Sequence, residues 1–340
     1  MDLGRGVSLI MPFLNEASSL PALLRSLEAQ TFDPARLRLI AVDDGSTDAG
    51  PALVEHWLSA SAIRGKVVRS GERSIPRALN LGLQFVPDGD YVVRIDAHSL
   101  YDPEYVATIV ASFESLPEDV WCVGGSCVPL QSPGAEFGKR LHSALFTSRM
   151  GLGPADYQQS DDVREVASVY LGAWRPGVLG RVGGYDPAWR ANEDSELAER
   201  IRAAGGRVMR IPAHSKKIIT RGARSAIRQW TRYGYWRAQT LKRHPKALRA
   251  RHLAPPLGLL AGLSLALSPA RLLLAPMFVA YAAAVWRSRP PGESTAVTAA
   301  STLYFPLVQA GFACGLLTGM VSGTGRSRSR AAADPAPAAP

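Results

Sequence analysis

Between residues 7 and 210 the chain alternates short apolar runs with longer stretches in which apolar positions recur every three or four residues. The runs "VSLIMPF", "LRLIAVDD", "GKVVRS", "DYVVRID" and "VWCVGGSCV" are predicted strands. Between the first two, Leu20, Leu23, Leu24 and Leu27 fall on one face of a helix predicted over 17–30. This alternation predicts an α/β fold with a doubly wound, mostly parallel sheet flanked by helices. In such sheets ligands sit beyond the carboxyl ends of the strands, so polar residues at those ends carry the functional information.

The pattern changes after about residue 210. Residues 227–252, "IRQWTRYGYWRAQTLKRHPKALRARH", interleave Arg and Lys with Trp and Tyr and hold no acid. From Leu253 to Trp286 the only charged residue is Arg271, and the stretch from Ala296 to Gly323 carries no charge. At about 1.5 Å per helical residue, either stretch is long enough to cross a hydrocarbon layer of about 30 Å. Pro269 and Arg271 divide the first into pieces of about 16 residues, short for a span, so a kinked crossing and a shallow hairpin are both open.

The predicted organisation is a catalytic domain over 1–225, a basic aromatic interfacial helix over 226–252, two or three membrane-anchoring segments over 253–323 and a disordered tail over 324–340. Basic residues at 242–251, and Arg326, Arg328 and Arg330 beyond the last apolar stretch, put both flanks on the cytoplasmic side of the inner (plasma) membrane, and the catalytic domain with them. "MDLGRGVSLIMPF" runs straight into a strand and has no signal-peptide pattern.

Composition narrows the partners. The 340 residues are 46% hydrophobic, which excludes wholesale disorder and allows a real core. Lys and Arg number 39 against 29 Asp and Glu, a formal charge of +10 that suits nucleic acid, phosphate ligands or anionic lipid. Because the basic aromatic segment lies just ahead of an apolar stretch, lipid is the expected partner and nucleic acid is not. Cys122, Cys127 and Cys314 form neither a disulfide framework nor a CxxC pair and are expected as reduced thiols.

Four polar clusters mark candidate chemistry. "MPFLNE" follows the first strand without the glycine-rich turn of a dinucleotide-binding protein, which argues against hydride transfer with NAD. "VDDGSTD" closes the second strand. Turn and cap chemistry accounts for Gly45 to Asp48, but the adjacent carboxylates Asp43 and Asp44 call for a hydrogen-bonding ligand or another partner. In "RIDAHS", Asp96 and His98 project to the same side of an extended chain, a carboxylate and an imidazole suited to Mn²⁺, or to Mg²⁺ where substrate phosphates complete the shell. "NEDSEL" puts Glu193 and Asp194 at the start of a predicted helix, where acidic residues also have a purely structural use.

In this order and at these separations, "PFLNE", "DDGSTD", "ALNLGL", "RIDAHS", "VGGYD" and "NEDSEL" resemble the inverting family 2 glycosyltransferases of the GT-A fold, over roughly residues 5–245. Within that family the chain is most similar to the bacterial succinoglycan-type glucosyltransferases, which share a run like "RIDAHS". The resemblance implies a nucleoside-diphosphate sugar donor in a pocket lined by Pro12, Glu16, Asp43 and Asp44. A carboxylate accepting from a ring N–H suits the uracil of a UDP-sugar, and guanine offers such a donor too. Arg73 and Arg77 are placed to meet phosphate, and Asn80 ties their helix to the site. Asp96 and His98 match the family's Asp-x-Asp motif, with His98 replacing the last carboxylate as metal ligand.

By the same resemblance Asp194 is the catalytic base, with Glu193 orienting the acceptor or serving structure. A carboxylate at a helix N-terminus stays ionised at neutral pH, so capping and catalysis are compatible. Trp174 and Trp189 offer rings either to a sugar face or to the core. "QWTRY", 229–233, resembles the Gln-x-x-Arg-Trp motif of processive synthases with Tyr233 for the Trp, placing Gln229 and Arg232 on the acceptor side. That departure, with few membrane segments, points to a single transfer onto a lipid-linked glycan acceptor. A sugar-nucleotide pyrophosphorylase is disfavoured because no glycine-rich basic loop follows the first strand. A non-catalytic membrane scaffold that retains the fold is the remaining alternative.

Overall fold

A computed structural model describes residues 5–130, 134–148, 150–151, 161–220, 222–290 and 292–323. Its strands are β1 (Val7–Phe13), β2 (Leu37–Asp43), β3 (Arg64–Arg69), β4 (Tyr91–Arg94), β5 (Ser99–Tyr101), β6 (Val120–Pro129), β7 (Arg164–Glu165), β8 (Ala173–Trp174) and β9 (Arg207–Lys217). Interleaved helices are α1 (Leu20–Glu28), α2 (Gly50–Ala60), α3 (Ile75–Leu83), α4 (Tyr105–Ser115), α5 (Phe137–Thr147), α6 (Val178–Arg181) and α7 (Glu193–Ala203). Four more follow: α8 (Ala223–Arg243), α9 (Ala250–Ala266), α10 (Leu274–Arg287) and α11 (Thr295–Val321).

The strands form one sheet in the order β3-β2-β1-β4-β8-β6-β9-β5, with β7 paired to β9. The β3-β2-β1-β4 block is parallel, as the alternation predicts, and so is the β6–β9 pair. Between them β8 runs antiparallel to both β4 and β6, and β5 and β7 run antiparallel to β9, so the sheet is mixed, with the long pairings parallel and the antiparallel ones confined to short strands. The antiparallel strands are too short to show a period in the sequence. Strand β9, "RVMRIPAHSKK", escapes the same reading because Arg210, Pro212 and His214 interrupt its apolar positions.

Alternate residues of β1 supply two cores. Val7, Leu9, Met11 and Phe13 pack with the α1 stripe Leu20, Leu23, Leu24 and Leu27, while Ile10 packs on the opposite face with Ala78 and Leu79 of α3 and Leu197 of α7. Each fully buried side chain of this kind contributes about 1.5–3 kcal/mol. Facing both layers in this way holds the β1, β2 and β4 termini in place.

The C-terminal helices divide into two kinds. Helix α11 packs along α8 through Gly311, Gly315 and Gly319; a Cβ on Gly315 would lie 1.9 Å from the Thr231 carbonyl oxygen, so only glycine permits the approach. Helices α9 and α10 instead leave apolar side chains exposed, among them Leu257, Leu263, Met277 and Val279. The break expected at Pro269 is present, as a 3₁₀ turn over Pro269–Leu273. The segments Pro269–Arg287 and Thr295–Val321 are long and apolar enough to cross a membrane. The tail predicted over 324–340 lies outside the described residues.

Candidate active site

Strands β1, β2 and β4 run parallel and end at Phe13, Asp43 and Arg94, so the loops that follow them carry Glu16, Asp44, Asp96 and His98 along one edge of the sheet. Pro12 sits in the last register pairs of β1, opposite Val42. The two loops beyond are locked together: the Asn15 amide donates to Ser46 Oγ (3.0 Å), and Asn15 Oδ1 accepts from the Thr47 amide (2.8 Å). Asn15 takes the left-handed conformation (φ 55°) to do so, which asparagine tolerates better than most residues.

The adjacent carboxylates of this edge differ in use. Asp43 Oδ1 accepts from the Ser46 amide at 2.8 Å and shapes the turn. Asp44 Oδ1 is buried with no hydrogen-bond partner among the described residues. Burial raises the Asp44 pKa, while the Ser70 hydroxyl and the main chain of residues 72–74 oppose the rise. A buried acceptor without a donor costs stability, and a ligand N–H would relieve that cost.

Arg73 is exposed on the loop before α3, and Arg77 pairs with Glu72 at 3.1 Å on the surface. Asn80 clamps the loop at 183–187 from both sides, with Nδ2 donating to the Tyr185 carbonyl (2.7 Å) and Oδ1 accepting from the Tyr185 amide (2.8 Å). Gly184, in the left-handed region at φ +66°, lies against that amide group; a Cβ there would fall 2.7 Å from Asn80 Oδ1.

At the centre, Asp96 Oδ2 accepts from the Tyr170 hydroxyl at 2.9 Å, and Lys217 Nζ donates to the same hydroxyl at 3.2 Å. Burial works to raise the Asp96 pKa, but Arg94, His98 and Lys217 together bring it below the usual carboxylate value. His98 Nδ1 lies 3.3 Å from Glu16 Oε1, and the Ser19 hydroxyl donates to Glu16 Oε2 at 2.6 Å. Burial would raise the Glu16 pKa too, yet the His98 contact lowers it. Glu16 therefore contacts the imidazole directly, a contact the motif did not reveal.

Asp96 Oδ2 and His98 Nε2 are 4.0 Å apart. A single cation with bonds of about 2.1 Å can reach both. Glu16 on Nδ1 occupies the other ring nitrogen, the arrangement that leaves Nε2 as the metal-binding atom. Among the described residues no group of three or more His, Cys, Asp or Glu is placed to hold a metal, so a cation here would take its remaining ligands from substrate oxygens. The donor set fits a divalent cation on those terms.

Helix α7 supplies the other wall. Asn192, left-handed at φ 58°, turns the chain into the helix. Glu193 accepts from Arg94 Nη1 at 2.9 Å, and Arg94 Nη2 lies 3.8 Å from Asp96 Oδ1. One guanidinium thus joins carboxylates almost a hundred residues apart. Asp194 Oδ1 accepts from the Ser195 amide at 2.7 Å. Burial, then the Glu193 charge, pushes the Asp194 pKa up to about 6, outweighing Arg94 and Arg237. The helix N-terminus alone would have lowered it. Asp194 is still mostly ionised at neutral pH, with a narrower margin than its position in the sequence suggests.

The remaining acceptor-side residues scatter. Gln229 donates to the Tyr233 hydroxyl at 2.6 Å, and the Tyr233 carbonyl accepts from Asn192 Nδ2 at 2.9 Å, so this part of α8 abuts the turn into α7. Arg232 is exposed. Trp174 is 3% exposed and packs edge-on to Tyr185. Trp189 is 5% exposed, donates to Thr240 Oγ1 and lies under the Arg243 guanidinium, 4.5 Å from the ring centre. Both rings are buried against these neighbours. Arg94, Tyr170, Lys217 and Arg237 were missed in the sequence. A charged residue inside the β4 run was the available signal for Arg94, and the i, i+4, i+8 stripe Gln229, Tyr233, Arg237 was the signal for Arg237.

The sheet, its carboxylate-lined edge and the α7 wall have the GT-A architecture. Residues 8–149 match the family described as Glycosyl transferase family 2. It is 28% identical over 234 residues to the succinoglycan biosynthesis protein ExoA of Rhizobium meliloti (strain 1021), covering 68% of each chain. It is 33% identical over 124 residues to the undecaprenyl-phosphate 4-deoxy-4-formamido-L-arabinose transferase of Pseudomonas fluorescens (strain Pf0-1), covering 35% of this chain and 36% of that one. The solved structure of the mannosyltransferase PcManGT from Pyrobaculum calidifontis, in complex with GDP-Man and Mn²⁺, superposes with a TM-score of 0.64 at 22% identity, covering 94% of this chain and 88% of that one. That likeness establishes the fold.

Proposed function

We propose that the protein transfers a hexose from a nucleoside-diphosphate sugar, a UDP-sugar in the first instance, to a hydroxyl of a lipid-linked glycan during cell-surface polysaccharide or glycolipid synthesis. The observation that carries the reading is the Arg94 bridge, which brings the Asp96 and His98 pair and the Glu193 and Asp194 pair to one guanidinium. In this reading Asp44, Pro12 and Asp43 line the base pocket, and Arg73 and Arg77 approach the phosphates. Asp194 takes the proton from the acceptor hydroxyl as its oxygen attacks the anomeric carbon; the bond to the diphosphate breaks, and inversion follows from the single displacement. A pKa near 6 suits a base that must be ionised yet basic at neutral pH. Asp96 and His98 would hold a divalent cation, Mn²⁺ or Mg²⁺, which would supply charge neutralisation at the departing diphosphate. Glu16 holds the His98 ring for that task.

The relatives support a lipid-borne acceptor in polysaccharide or glycolipid synthesis: one is a succinoglycan biosynthesis protein and another an undecaprenyl-phosphate 4-deoxy-4-formamido-L-arabinose transferase. The Mn²⁺ of the mannosyltransferase complex supports the metal, and its GDP-Man keeps guanine in the donor panel. Residues 253–323 anchor the chain in the inner membrane with the catalytic domain, residues 1–225, on the cytoplasmic face, and 226–252 lie at the interface. The test is a panel of nucleotide sugars with and without Mn²⁺ or Mg²⁺ on the detergent-solubilised protein. Metal-dependent thermal stabilisation by one donor, with slow release of its nucleoside diphosphate, is the expected result. A folded protein that responds to no donor would overturn the reading in favour of a scaffold.

A further inference from the structure

Helix α8 is seated on the catalytic domain along one edge. The Tyr233 carbonyl accepts from Asn192, Arg237 Nη2 donates to Ser195 Oγ at 3.1 Å, Thr240 meets Trp189, and Arg243 pairs with Asp186. Along another edge it carries α11, which runs in the same direction over its whole length. Tyr304 donates to the Ala223 carbonyl at 3.5 Å, Gly311, Gly315 and Gly319 close on residues 227–238, the Gln239 amide reaches the Gly319 carbonyl at 3.1 Å and Lys242 reaches the Ser322 carbonyl. The two helices therefore share one axis direction, whatever medium surrounds them.

Between those edges α8 turns a third one outward. Arg224, Arg228 and Arg232 recur on it every four residues, exposed, and none forms an ion pair among the described residues. Like charges at that spacing repel one another, a cost that an anionic surface removes. Helix α11 has an outward stripe of its own, Leu303, Leu307, Cys314, Leu317 and Val321, apolar from one end to the other. With about 3.6 residues per turn in each helix, and the contacts above fixing how the two face one another, this stripe and the arginines open to the same side of the pair. By length and composition alone α11 is able to cross a membrane. A crossing would carry α8 through the hydrocarbon beside it, with three guanidiniums and the catalytic-domain residues seated on the helix, and charged and polar groups resist that burial. Lying flat instead sets the arginines among headgroups and the apolar stripe at the acyl boundary. Some 44% of the apolar stretch of α11 is buried inside the protein, against 6% in Pro269–Arg287. In α9 and α10 only His252, Pro256 and Val285, near the two roots of the hairpin, are buried, while Leu267 and Leu272 at its turn are exposed.

We propose that α8 and α11 lie flat on the membrane surface as one platform, with Arg224, Arg228 and Arg232 against anionic headgroups and the α11 stripe in the outermost acyl region, so that α11 does not cross the bilayer. Only the hairpin of α9 and α10 then enters the hydrocarbon core. The proposal rests on the membrane-anchored reading above and assigns the two apolar segments different tasks, one inserting and one lying on the surface. The platform also fixes the catalytic domain at a set height, because residues 186–195 are seated on α8.

The experiment places one bimane label at a time along α11 of the full chain, reconstituted in vesicles of phosphatidylglycerol and phosphatidylcholine. The sites are native Cys314, which is exposed while Cys122 and Cys127 are buried, and Leu303→Cys or Val321→Cys combined with Cys314→Ser. Quenching by lipids that carry a spin label at a shallow or a deep acyl position reads the depth of each. A helix lying flat gives all three labels the same shallow depth. A crossing helix separates positions 303 and 321 by about 27 Å along the membrane normal, and that result would overturn the proposal. So would labels that no lipid quenches, since the stripe would then be covered by protein, a second copy included. In the same vesicles spin-labelled phosphatidylglycerol is expected to gather at the chain at least about fivefold over phosphatidylcholine, the preference that one surface guanidinium supplies. Arg224→Gln with Arg228→Gln should remove most of it; an unchanged preference would take the arginines off the headgroups and overturn that half of the proposal. Release of the wild-type chain from the vesicles by alkaline carbonate would instead sink the anchoring itself, whatever depth the labels report.

Discussion

The proposed nucleotide side and the proposed acceptor side each present two adjacent carboxylates, and each uses the pair unequally. At the end of β2, Asp43 is bound to the Ser46 amide while Asp44 keeps a buried oxygen without a partner among the described residues. At the start of α7, Glu193 is bound by Arg94 while Asp194 accepts from the next amide in the chain. In both, the first carboxylate holds the local structure and the second faces the site. The difference lies in what surrounds the second. Asp44 has the Ser70 hydroxyl and nearby main chain to oppose the effect of burial, which suits a fixed acceptor. Asp194 has burial reinforced by a neighbouring negative charge, which suits a group that must exchange a proton.

The largest test of that contrast is Asp194→Asn. Loss of a positioned base is expected to lower turnover by about 10²–10⁴-fold, read as nucleoside diphosphate release with acceptor present. Its stability sign also follows. The folded carboxyl holds its proton above the ordinary 3.8, so its favourable contribution exists below that value and disappears as pH rises through about 6. The variant should melt no lower than wild type at pH 7.5; a large drop would mean that Asp194 serves structure instead.

Next in size is Glu16→Ala, which removes the His98 partner and should weaken Mn²⁺ binding by about 10–100-fold in a paramagnetic resonance titration. Glu16→Gln, still able to accept from Nδ1–H, should retain most of the affinity. Wild-type affinity in the alanine variant would detach Glu16 from the metal side.

The effect of Glu193 on its neighbour is smaller. The base acts as carboxylate, so kcat/KM should rise with pH through a midpoint near 6. Glu193→Gln removes the repelling charge and leaves Arg94, so the midpoint should move to lower pH even though the plateau falls. An unmoved midpoint would show that burial alone sets it. The smallest effect belongs to Arg77→Gln. Its exposed pair with Glu72 is worth about 0–1 kcal/mol, so melting should barely change. Any loss of donor affinity in this variant would then report phosphate contact directly.

Several elements were legible in the chain before any coordinates. The five apolar runs became β1, β2, β3, β4 and β6, and the leucine stripe became the buried face of α1. These are local patterns whose period matches the element they form. The four clusters were legible for the same reason, since each lies at the start or end of an element that its own residues mark. Strands β5, β7 and β8 were not, because two or three residues pair only where the rest of the sheet offers an edge.

By itself, then, the sequence determined the parallel half of the sheet, the break at Pro269 and the list of carboxylates, all of which depend on residue type and local spacing. Only the tertiary structure decided how those carboxylates differ. Arg94 can bind both Asp96 and Glu193 because β4 ends beside the start of α7, and Glu16 meets His98 because β1 and β4 are neighbours. Arg237 reaches Ser195 because α8 passes the first turn of α7. Charge, burial and hydrogen bonding act through space, and distance along the chain does not reveal which groups will share it.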